Sequence, residues 1–92
     1  MNIFTTIGEE ANKVLKVLKL PLTVVRDRRA TRVEMSKRSI LFCFLHYECE
    51  YNYTEIAFYA HKEHSTIRYS VKKYTELYNE NKDELLKKLK ER

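Results

Sequence analysis

Apolar residues recur every three or four positions along most of the chain, which predicts helices throughout. Ile7, Ala11, Val14, Leu15 and Leu18 share one face of an amphipathic helix that Pro21 ends. "LTVV" (22–25) fits either a short helical turn or an extended link. Ser36 is the expected N-cap of a second long helix that turns Ile40, Leu41, Phe44 and Leu45 to the core. "NYTE" (52–55) has the capping-box pattern, in which Asn52 accepts from the Glu55 amide and Glu55 reaches back. It opens a short helix through Ile56, Ala57 and Ala60. After a turn near His61–Lys62, a further helix is expected over about 63–79. At 100° per residue, Val71, Tyr74 and Tyr78 fall within about 40° of Ile67. Asp83 is expected to cap a last helix, 83–92, that packs Leu85, Leu86 and Leu89.

No repeat, low-complexity tract or linker interrupts this pattern, so the expectation is an all-α fold, one small helical domain over 1–92. A single Gly and a single Pro agree with helices joined by short connections. Within it, 52–79 reads as a helix-turn-helix, although the turn lacks the Gly that such motifs commonly carry.

Charge singles out one segment. Residues 1–47 hold nine Lys/Arg against four Asp/Glu, whereas 48–92 hold nine of each. Most of the excess lies in "RDRRATRVEMSKR" (26–38), read as a basic connecting loop with six bases and two acids. Such a cluster is an electrostatic footprint for a polyanion.

Other chemistries lack their residues. A lone Gly8 builds no Gly-rich phosphate loop, so no nucleotide or other cofactor is expected. No stretch approaches the roughly 18 apolar residues that span a bilayer. The first residues are partly acidic and lack the apolar run of a signal peptide, which predicts a cytoplasmic protein without membrane contact. Cys43 and Cys49 are expected to stay reduced. With His46, His61 and His64 they suggest zinc, but Cys43, His46 and Cys49 spread over about 120° of one helix, and no metal is expected. Glu63, His64 and Ser65 supply the letters of a catalytic triad, but neighbours on a helix point apart. No enzyme activity is expected.

The densest chemistry is "HKEHSTIRYSVKKY" (61–74), where Lys62, Glu63, His64, Ser65 and Thr66 crowd the start of a helix. A first helical turn exposes unpaired N–H groups that suit a phosphate. Carboxylate, imidazole, hydroxyl and ammonium groups match the donors, acceptors and methyl groups of a major groove. Arg68 and Lys72, at i and i+4, lie opposite the apolar stripe and suit backbone phosphates. Tyr69 shares that face. Capping and solvation explain the same residues more plainly.

"NYTEIAFYAHKEHSTIRYSVKKY" (52–74) resembles the C-terminal DNA-binding domain, domain IV, of the bacterial replication initiator DnaA. That family's signature runs approximately S-x-x-E-I-G-x-x-F-G-G-R-D-H-[ST]-T-V and then a basic pair. Glu55-Ile56 match its E-I step, Lys62 to Thr66 its R-D-H-[ST]-T, and Lys72-Lys73 its basic pair. Upstream, "SKRSILFCFLHYE" resembles the preceding helix, and Arg28, Arg29 and Arg32 fall in the basic loop. Ala60-His61 stands where the family has its two turn glycines, and seven residues rather than eight precede His64.

The resemblance implies a fold of the DnaA domain IV or Trp-repressor-like kind and sequence-specific binding of double-stranded DNA in replication initiation. The helix from Glu63 would enter the major groove, with residues 62–66 on bases and phosphates. An arginine of the loop would enter the adjacent minor groove, and Arg68, Lys72 and Lys73 would serve the backbone. Two other readings remain open at this point: a protein-interaction module that docks an acidic partner, and RNA binding with aromatic stacking.

Overall fold

The computed structural model describes residues 3–27 and 29–90, with side chains from Ile7 onward. Among them it is all-helical: α1 (Ile3–Leu18), α2 (Leu22–Arg26), α3 (Arg32–Tyr47), α4 (Tyr53–Ala60), α5 (His64–Lys73) and α6 (Thr75–Lys90). None of these helices is long and apolar enough to cross a membrane.

The core is built around α3, which packs against each of the other five helices. Ser39 through Leu45 are all buried, so this stretch is enclosed on every side rather than along one stripe. Ile7, Ala11, Val14 and Leu15 of α1, Ile56 and Ala57 of α4, Ile67 and Val71 of α5, and Tyr78 and Leu85 of α6 close over it. The apolar stripes foreseen for these helices are therefore the faces they bury.

Three expected boundaries are wrong. The second long helix starts at Arg32, not near Ser36. Its N-cap is Thr31, whose hydroxyl accepts from the Glu34 amide at 3.2 Å while the Glu34 carboxylate accepts from the Thr31 amide at 2.9 Å. Ser36 instead donates back to the Arg32 carbonyl at 3.0 Å, as a hydroxyl inside a helix does. The supposed loop 26–38 is thereby cut to a short connection, with Lys37 and Arg38 on α3.

The helix expected over 63–79 ends at Lys73, and Asp83 caps nothing: it lies exposed inside α6, which runs on to Lys90. The break falls at Tyr74 (φ −103°, ψ 12°). Beside it the Thr75 hydroxyl donates to the Val71 carbonyl at 2.6 Å and bonds the Tyr47 hydroxyl at 3.1 Å. "NYTE" does form its capping box, at 2.8 and 3.0 Å.

Helices that commonly end on Gly end here without it. Lys19, Glu50 and His61 take left-handed backbone (φ 56°, 62° and 56°), at about 1 kcal/mol each. Lys19 and His61 sit in paired closing bonds: Leu20 to Leu15 at 3.0 Å with Lys19 to Lys16 at 3.4 Å, and Lys62 to Ala57 at 3.0 Å with His61 to Phe58 at 3.4 Å. His61 thus makes the turn between α4 and α5 where the resembled family has Gly.

Candidate nucleic-acid interface

Helix α5 buries Ile67 and Val71 and presents its other faces outward. Glu63, His64, Ser65 and Thr66 are all exposed, and none of their side chains bonds another described residue. The capping explanation for this cluster meets a specific obstacle. Glu63 is the N-cap residue and makes no side-chain cap bond. Ser65 and Thr66 lie within the helix, past the position from which a hydroxyl caps. Four polar side chains at one helix mouth are left with hydrogen-bonding capacity and no internal use for it.

Further along α5, Arg68 and Lys72 are exposed and likewise without an internal partner among the described residues. Tyr69 is 64% exposed beside them. Lys73 is engaged: its ammonium lies 5.6 Å from the Tyr69 ring centre and 5.5 Å from that of Tyr74. The cation is held over two aromatic faces.

Of the three arginines predicted upstream, Arg28 lies outside the described residues. Arg29 and Arg32 are exposed, one in the loop and one opening α3. The Arg29 amide donates to the Asp27 carboxylate at 3.0 Å, a side-chain-closed turn.

This short arm lies against the mouth of α5. The Lys62 ammonium donates to the Asp27 carbonyl at 2.8 Å. Arg38 donates to the same carbonyl at 2.9 Å and lies 3.4 Å from that of Val24. Arg26 donates to the Tyr59 carbonyl at 3.1 Å, with its guanidinium 5.5 Å from the Tyr59 ring centre. Tyr59 belongs to the last turn of α4, where a cation also suits the helix dipole. Two cations of the basic segment, Arg26 and Arg38, and Lys62 of the polar cluster are thus engaged within the chain.

The remaining candidates for chemistry have structural duties. Among the described residues no group of three or more His, Cys, Asp or Glu is placed to hold a metal ion. His46 donates from Nδ1 to the Tyr51 carbonyl at 2.9 Å and stacks on Tyr53 at 4.5 Å. Burial pushes the Cys43 thiol up to about 12. Burial first, and then the Glu10 and Glu48 carboxylates, push Cys49 up to about 11. Both thiols stay protonated at neutral pH and are poor nucleophiles.

Compared with known proteins, the chain matches no family model, no curated protein and no solved structure.

Proposed function

We propose that this protein binds double-stranded DNA through a helix-turn-helix made of α4, the His61 turn and α5, in the manner of the replication-initiator domain that 52–74 resembles. The mouth of α5 enters the major groove, where Glu63, His64, Ser65 and Thr66 meet base edges and nearby phosphates. Arg28, Arg29 and Arg32 serve the adjacent minor groove and its phosphates, and Arg68 and Lys72 grip the backbone. The protein works by binding, without catalysis and without a cofactor.

One observation carries this reading: an exposed, internally unused set of polar side chains at a helix mouth lies directly beside an exposed arginine arm. A mouth closed against the core, or an arm on another side of the molecule, would remove the case.

Five cations, Arg28, Arg29, Arg32, Arg68 and Lys72, are assigned to phosphates. The logarithm of the duplex binding constant should therefore fall with log salt at a slope near −4.5. Fluorescence anisotropy at several salt concentrations measures it, and a flat dependence removes the reading. Selection of bound duplexes from a random library then gives the preferred site.

A second reading draws on Val33, 63% exposed at the start of α3 beside Arg32. An apolar side chain among arginines suits an acidic protein partner. Library selection that enriches no sequence, together with duplex-independent NMR shifts, would favour it.

A further inference from the structure

We infer that Lys62 and Arg38 are positioning residues for the proposed interface: they hang the arginine arm on the mouth of α5 and fix the span over which arm and helix engage one duplex. This assignment rests on the DNA-binding reading, and it changes what Lys62 does within it. Charge alone sends both cations to phosphates. The geometry sends both to the main-chain oxygen of Asp27, at 2.8 and 2.9 Å. Lys62 stands two residues before the start of α5, so its side chain sets the separation between arm and helix mouth.

The other end of the arm is fixed as well. Thr31 is locked to Glu34 by the reciprocal bonds of its capping box. Only positions 28–30 lie between the two anchors. A major groove and its neighbouring minor groove present their edges at a set distance, so a pre-placed arm gives up less freedom on binding than a loose one.

The experiment compares Lys62→Met, which keeps the aliphatic stem and removes the ammonium, with the wild type in two measurements. In the free protein, amide hydrogen exchange at Arg29, Ala30 and Thr31 should become faster. On the preferred duplex, affinity should fall about three- to tenfold, with the salt slope unchanged. Lys62→Arg should restore both. Arg38→Met carries the same expectation and serves if Lys62→Met does not fold.

A slope shallower by about 0.9, with arm exchange unaltered, would identify Lys62 as a phosphate contact and overturn the assignment. Faster exchange with undiminished affinity would overturn it too. Failure of the wild type to bind any duplex would instead sink the DNA reading, and the exchange comparison, made without DNA, would still report whether the arm is held.

Discussion

Two polar regions of this molecule use similar side chains to opposite ends. At the corner where α3 meets α6, the Tyr78 hydroxyl donates to Glu48 at 2.9 Å and Lys82 reaches the same carboxylate oxygen at 3.1 Å. Nearby, Tyr47 meets Thr75. Each group there has its partner within the chain. At the mouth of α5, Glu63, His64, Ser65 and Thr66 have none among the described residues. The difference separates polar residues that hold a fold together from polar residues that the described fold does not bond. Composition cannot make that separation, because both regions carry carboxylates, hydroxyls and bases.

The sharpest break in this comparison is expected from His64→Ala. It should cost about 1–3 kcal/mol on the preferred duplex and relax sequence preference, while thermal stability changes by less than about 0.5 kcal/mol. Arg68→Ala should weaken preferred and random duplexes alike. Equal losses on both kinds of DNA for His64→Ala would return that residue to a structural role.

At the corner the pattern should invert. Tyr78→Phe removes one half-buried bond to a carboxylate and should cost about 1–2 kcal/mol of stability by urea unfolding, leaving duplex affinity as it was.

The turn before α5 adjoins the mouth. His61→Gly relieves the left-handed backbone and should stabilise the fold by about 0.5 kcal/mol, part of the relief being offset by the freer unfolded chain. A calorimetric melting temperature that falls would mean the His61 side chain contributes more than its backbone costs.

The smallest effect is one of pH. The bond to Lys82, and less so that to Tyr78, hold the Glu48 carboxyl below its ordinary value of 4.5, against a partial burial that raises it. A depressed carboxylate favours the folded state above its unfolded pKa and loses that contribution as pH falls through the folded one. Glu48→Gln should therefore be less stable than wild type at neutral pH, with the gap closing under acid. A gap independent of pH would show that the pair contributes by packing alone.

Sequence patterning located most of the helices and their buried faces because apolar spacing and the Asn52–Glu55 box are local signals. It missed Thr31–Glu34, the same box, because that pattern sits inside a string of charges that reads as loop. It missed the break at Tyr74 because no Gly or Pro marks it; the Thr75 contacts with Val71 and Tyr47 form only in the folded chain. The polar mouth of α5 was legible from its run of polar residue types, of which helical angle set only Ser65 opposite the apolar stripe. That Arg26, Arg38 and Lys62 bond to acceptors within the chain was not. Their acceptors are main-chain carbonyls, from 11 to 35 residues away, and a carbonyl leaves no trace in residue types.

That choice of acceptor makes the arm a replaceable cartridge. The socket at its upstream end is an oxygen every amino acid carries, and the downstream latch is supplied by residues 31 and 34. Positions 28 to 30 can then be rewritten, with other bases, aromatics or a single lysine, while the mount stays intact. Under the proposed DNA reading, retargeting the minor-groove contacts of Arg28 and Arg29 would become a problem of three residues, separable from Arg32 and from the helix proposed for the other groove.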